Sequence, residues 1–145
     1  MSELKFLVSA CLAGVKCRYD GKDRKDEKVF QLVSKGKALP FCPEQLSGLP
    51  TPRDVSEISF NSGKMKVFSC YGEDLTQFFL RGAGLSFRLA KRFKISSAYL
   101  KGRSPSCGFV SGDKDITSNR AKTRKRKAGI TSAFFVKKGL KIYPG

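Results

Sequence analysis

The stretch Leu4-Lys5-Phe6-Leu7-Val8-Ser9-Ala10-Cys11-Leu12-Ala13-Gly14 reads as a buried strand over 4–12 running into a tight turn of small residues. Short apolar runs rich in β-formers, closed by Gly, are strands rather than helices. Working outward, 17–27 is polar and charged and reads as a loop, and 28–35 places Val29, Leu32 and Val33 at helical spacing before Gly36. Ala38-Leu39-Pro40-Phe41 reads as a second strand leading directly into Cys42-Pro43-Glu44. Gly48, Pro50 and Pro52 make 45–53 irregular, and 57–60 with 64–70 alternate as a small ribbon about Asn61-Ser62-Gly63. A long helix over 75–93 carries Phe78, Phe79, Leu85, Leu89, Ala90 and Phe93 on or near one face, with Glu73 or Asp74 as its cap. Gly82 and Gly84 either weaken that helix or permit close packing. A strand over 95–100, a basic flexible loop near 109–128, a helix over 131–138 and a strand over 140–143 complete the pattern. Strands alternating with helices predict an α/β fold, a Rossmann-like domain whose mostly parallel sheet is flanked by helices.

A chain of 145 residues has room for one domain, taken as 1–145. No apolar run approaches the ~20 residues of a membrane span, and Met1-Ser2-Glu3-Leu4-Lys5 lacks a basic segment followed by an apolar signal core. A cytoplasmic protein with no membrane partner is the expectation. The chain has no His, which excludes His triads, His–Zn sites and His proton shuttles within it. The charge is lopsided: 1–74 holds 12 Lys+Arg against 10 Asp+Glu, whereas 75–145 holds 17 against 2. A half-chain of net +15 fits a phosphorylated or polyanionic partner, and Arg120 to Lys127 alone places six bases in eight residues.

The five cysteines are Cys11, Cys17, Cys42, Cys70 and Cys107, an odd number at wide spacing that makes a poor disulfide framework. In open parallel sheets, sites form outside the carboxyl ends of the strands. Cys11, Cys42 and Cys107 each follow a predicted strand, so the topology brings three distant thiols to one sheet edge. Such a group fits a metal site, a catalytic dithiol, or cysteines buried as small apolar residues. Each lies beside or close to Gly or Pro, which lets backbone approach a bulky cluster and offers N–H groups to its sulfurs. Three ligands to a four-iron cluster would leave one iron open to substrate as a Lewis acid.

Three ordered blocks carry a family resemblance. They are Ser9-Ala10-Cys11-Leu12-Ala13-Gly14-Val15-Lys16-Cys17-Arg18-Tyr19-Asp20-Gly21; Cys42-Pro43-Glu44 with Gly48-Leu49-Pro50-Thr51-Pro52-Arg53; and Lys101-Gly102-Arg103-Ser104-Pro105-Ser106-Cys107-Gly108. Together they resemble the signature of the thiouracil desulfidase family, formerly a domain family of unknown function. Gly129-Ile130-Thr131-Ser132-Ala133 and Gly139-Leu140-Lys141-Ile142 resemble its closing segment. Two stretches depart from the family pattern: Phe109-Val110-Ser111-Gly112-Asp113 stands where Tyr-Asp-Gly is usual, and Lys127-Ala128-Gly129 where Gly-Asp-Gly is. The resemblance implies a cytoplasmic enzyme with a 4Fe–4S cluster held by three cysteines, removing sulfur from thiolated uracil compounds.

Carried onto this chain, Cys11, Cys42 and Cys107 become the iron ligands. Cys17 belongs to the first block, yet as a fourth ligand it would block the open iron, and Cys70 lies outside every block as a buried small residue. Glu44, two residues beyond Cys42, is placed to activate water or exchange protons with the ring. Ser104, three residues before Cys107, could donate to the ring or orient water. Arg18, Arg53, Lys101 and Arg103 are cations within the blocks, suited to a phosphate or a uracil carbonyl, and Tyr19 could stack on the base. The expected reaction is a redox-neutral replacement of C=S by C=O in a thiouridine monophosphate, with hydrogen sulfide released. Thiolated RNA is the further candidate partner. Two other classes compete: a basic RNA-binding module with a structural cluster, and a sulfur-transfer protein working through cysteine persulfide.

Overall fold

The computed structural model describes residues 4–61, 64–102 and 129–144. Strand β1 (Phe6–Ser9) is shorter than its apolar run. After it, Ala10–Ala13 wind into a buried 3-10 turn that Gly14 closes at φ +97°, a left-handed conformation suited to Gly. Helix α1 (Glu27–Ser34) starts one residue before its expected position, because Asp26 caps it by accepting from the N–H groups of Lys28 and Val29. Strand β2 (Ala38–Phe41) falls where the sequence places it. Immediately after Cys42, the expected irregular stretch begins instead with a single helical turn, α2 (Pro43–Leu46). Pro43 at its first position explains this, since a fixed φ and a missing N–H both suit a helix start.

Strands β3 (Ser56–Asn61) and β4 (Lys64–Ser69) form the antiparallel ribbon, pairing Ser56 with Ser69 and Asn61 with Lys64. Helix α3 (Thr76–Arg92) follows, with Asp74 Oδ1 accepting from the Thr76 N–H at 2.9 Å. Cys70, expected to be buried, is exposed beyond the end of β4. Ribbon and helix are fastened by the Val67 N–H donating to Thr76 Oγ1 at 3.0 Å, and by Val67, Phe79 and Ala83 packing together. Strand β5 (Ser97–Leu100), helix α4 (Ile130–Lys137) and strand β6 (Lys141–Pro144) complete the described elements.

The sheet has the order β2-β1-β5-β6, and every described pairing in it is parallel. The α/β expectation, with a mostly parallel sheet flanked by helices, therefore holds. Val8 and Ala38 meet Val29, Leu32 and Val33 of α1 on one face. Leu7, Ala98 and Leu100 meet Ala90 of α3 and Phe135 of α4 on the other. Leu7, Leu100 and Phe135 are wholly buried, each worth roughly 1.5–3 kcal/mol of apolar transfer. The chain leaves β1 toward β2 on one side and reaches β5 on the other. This reversal opens a crevice at the carboxyl ends of β1 and β5, where open α/β sheets bind ligands.

Candidate active site

Ser9 ends β1, and its buried hydroxyl accepts the Lys101 N–H at 2.8 Å, tying the carboxyl ends of β1 and β5 together. Beside this tie lies a cavity of about 460 Å³, within the size range of small-molecule sites. Cys11, Cys17, Arg18, Tyr19, Cys42 and Glu44 line it, and Arg53 and Lys101 also reach it. Ser104, Cys107 and Arg103 lie outside the described residues. The basic loop near 109–128 also lies outside them.

The three described thiols at this edge are not equivalent. Cys17 is 2% exposed and its S–H donates to both Cys11 and Cys42. Giving up that proton would cost both hydrogen bonds, so the Cys17 thiol is pushed far up, with burial adding to the effect. The same hydrogen bond lowers the Cys11 thiol against the opposing cost of burial, with Lys101 helping. It also lowers Cys42 to about 7, again against burial. Cys42 Sγ also stands 3.9 Å from the Cys17 carbonyl oxygen, a contact it could donate to only as a thiol. The Cys17 proton directed at it favours the thiolate.

Thiolate, not thiol, is what a metal binds. Cys11 and Cys42 thus fit two positions of a three-cysteine cluster site, and Cys17 fits the role of hydrogen-bond donor to them. Among the described residues no group of three or more His, Cys, Asp or Glu is arranged to hold a metal ion. That agrees with two ligands and one donor.

Glu44 is carried on α2 and is 8% exposed. Its Oε1 accepts from Arg53 Nε at 2.6 Å. Arg53 spends its remaining N–H groups on the protein: Nη1 reaches the Pro50 carbonyl at 3.1 Å and Thr51 Oγ1 at 3.0 Å, and Nη2 reaches the Cys17 carbonyl at 2.9 Å. Its backbone N–H also donates to the Tyr19 carbonyl at 2.8 Å. Arg53 is therefore a clamp that fixes Glu44 and the Cys17–Tyr19 segment to each other. Removing one partner of such a buried pair typically costs about 3–5 kcal/mol. Lys101 Nζ donates to the Gly102 carbonyl at 2.5 Å, and Tyr19 is 40% exposed at the cavity wall.

Beneath the site, Gly82 of α3 meets α2. A Cβ there would collide with the Pro43 carbonyl oxygen and lie 2.9 Å from its carbon. Gly82 thus lets the turn bearing Cys42 and Glu44 sit directly on the long helix, which is the close-packing alternative raised by the sequence. Gly84 has open space around it.

Sequence reasoning did not single out Arg24, which also lines the cavity. Its backbone N–H donates to the Cys11 carbonyl at 2.9 Å, and the Asp26 N–H to the Leu12 carbonyl at 2.7 Å, laying the 17–27 loop along the Cys11 turn. No signal in a run of alternating charges marks one arginine among them.

Residues 6–144 match the family described as 2-thiouracil desulfurase. The chain belongs to that family. It is 41% identical over 108 residues to YbbK of Bacillus subtilis (strain 168), a match spanning 70% of this chain and 72% of YbbK. Among solved structures, the [4Fe-4S]-dependent thiouracil desulfidase TudS superposes with a TM-score of 0.78 at 33% identity, covering 97% of this chain and 90% of TudS. The resemblance carried by the three sequence blocks and the observed fold therefore agree with this family.

Proposed function

We propose that this protein is an iron–sulfur-dependent desulfidase that converts the C=S of a thiolated uracil compound to C=O. The observation that carries the reading is the convergence of Cys11, Cys42 and the clamped Glu44 on one cavity at the carboxyl ends of β1 and β2. Membership of the desulfurase family and likeness to TudS support it. Cys11, Cys42 and Cys107 would hold a 4Fe–4S cluster, which when bound supplies Lewis-acid polarisation of the thiocarbonyl.

The chain's own residues account for the rest. Glu44 takes a proton from water as the water oxygen attacks the thiocarbonyl carbon. Arg53, holding Oε1, keeps that carboxylate aimed while the attack proceeds. The C–S bond breaks as the carbonyl forms, sulfur leaves with the bonding pair as hydrosulfide, and protonation releases it as hydrogen sulfide. Water and the thiocarbonyl thus give carbonyl and hydrogen sulfide with no net redox change. Ser104 is assigned to donate to the ring or orient water, and Tyr19 to stack on the base.

Of the candidate substrates, a thiouridine monophosphate suits the chain better than free thiouracil. The net charge of +17 gains nothing from a neutral base. Thiolated RNA remains a larger ligand of the same chemistry. The test is anaerobic purification followed by iron analysis and sulfide assay with thiouracil, thiouridine and its monophosphate. A brown protein with ~4 Fe per chain that releases one sulfide per product supports the reading. Iron loading without sulfide from any of the three substrates would overturn it in favour of a structural cluster.

A further inference from the structure

The cavity carries more positive charge than the proposed reaction uses. Arg18, Arg24, Arg53 and Lys101 line it, against Glu44 and Asp54 among the described residues. Arg53 is bound to Glu44, Thr51 and the carbonyls of Pro50 and Cys17. Lys101 serves the Cys11 edge, held there by its backbone bond to Ser9.

Arg18 and Arg24 differ from these two. Arg18 Nη1 is buried without a hydrogen-bond partner, and Asp20 Oδ2 stands 3.5 Å away as a charge contact only. A buried guanidinium N–H left unbonded is costly, so it marks a position awaiting an acceptor. Arg24 is exposed at the cavity, with its backbone anchored to Cys11 and its guanidinium making no hydrogen bond or ion pair among the described residues. One guanidinium is thus recessed and under-bonded, and the other stands outward on the same cavity.

We infer that Arg18 and Arg24 form an anion subsite at the mouth of this cavity, and that its ligand is the phosphate of a pyrimidine nucleotide. The thiolated form of that nucleotide rests on the desulfidase reading above; the anion subsite does not. Phosphate suits two guanidinium groups because it offers three acceptor oxygens and up to two charges. A neutral ring carbonyl would occupy one donor and leave the second arginine in water. Asp20 and Asp54 offset part of the field, so recognition works through directed bonds and not through bulk charge alone.

The test uses Arg24→Gln, an exposed position where the fold does not depend on the side chain. In the anaerobic, cluster-loaded protein, the ratio of kcat/KM between a thiouridine monophosphate and the matching free thiouracil should fall about tenfold or more, chiefly through KM. A purely structural role would lower both substrates together. Equal losses, or none, overturn the subsite. A second measurement needs no turnover: calorimetric binding of unthiolated uridine monophosphate and of uridine to the same protein. The wild type should prefer the monophosphate, and Arg24→Gln should lose that preference. A protein that binds in this way but releases no sulfide loses the desulfidase reading and keeps the subsite. One that releases sulfide but binds the two ligands alike keeps the reading and loses the subsite.

Discussion

Glu44 and its neighbouring thiols show how single side chains divide the labour of this site. Glu44→Gln preserves the shape that Arg53 Nε grips but cannot take a proton from water. Its kcat should fall about 10²-fold or more while iron content stays at the wild-type level, checked by sulfide release and iron analysis on one preparation. Turnover at the wild-type rate would place the proton elsewhere. The thiols separate in the same way. Cys11→Ala and Cys42→Ala should each lose the visible cluster absorbance and most of the iron, because each removes a thiolate. Cys17→Ala removes only a hydrogen-bond donor and should keep the iron; loss of iron in that variant as complete as in Cys42→Ala would make Cys17 a ligand. Cys70→Ala, at an exposed position, should change neither reading. Cys11, Cys42 and Glu44 were legible as site residues because each follows a strand that apolar runs reveal. The clamp made by Arg53 was not legible. Two of its partners, the Pro50 and Cys17 carbonyls, are backbone atoms, and such acceptors leave no trace in side-chain identity.

At the level of elements, the junction of α2 with α3 places the chemistry. The sequence marks α3 plainly, since its apolar face repeats over several turns. It hides α2, a helix of four residues that is too short to show a period. The short β1 is a related case: Ala10–Ala13 are apolar enough to extend a strand, yet coil because small residues followed by Gly14 permit the turn. The two glycines of α3 then give opposite expectations. Gly82→Ala drives a methyl into the Pro43 carbonyl, so α2 must move. Overpacking of this kind costs typically 1–3 kcal/mol, and the shift carries Cys42 and Glu44 with it. Gly84→Ala meets no atom within 4 Å and gains helix propensity worth up to about 1 kcal/mol. Melting temperature should therefore fall in the first variant and hold or rise in the second, with iron loading reduced only in Gly82→Ala. A Gly82→Ala protein that melts and loads iron as the wild type does would show that α2 does not depend on this contact.

Across the whole molecule, the parallel sheet and the charge distribution act together. Strand order β2-β1-β5-β6 brings Cys11, Cys42 and Lys101 to one edge from stretches separated by 25 residues or more. The alternation of strands and helices made that legible in advance. The net charge of +17 is equally plain in the sequence, but its purpose depends on how many phosphates the ligand presents. A monophosphate brings about two charges, whereas a single-stranded RNA releases a counterion for each phosphate it contacts, with a log–log slope of about −0.7 per contact. Arg18 and Arg24 at one cavity match one phosphate, and this argues for a nucleotide as the working substrate. The order of kcat/KM should be monophosphate, then nucleoside, then free base. Raising the salt tenfold should lower the monophosphate value by less than about tenfold, the shallow dependence of a single contact. A thiolated oligonucleotide outrunning the monophosphate at low salt, and losing several powers of ten across the same range, would move the substrate to RNA. Equal efficiency for base and monophosphate at both salt concentrations would leave the charge serving some other partner and the desulfidase chemistry untouched.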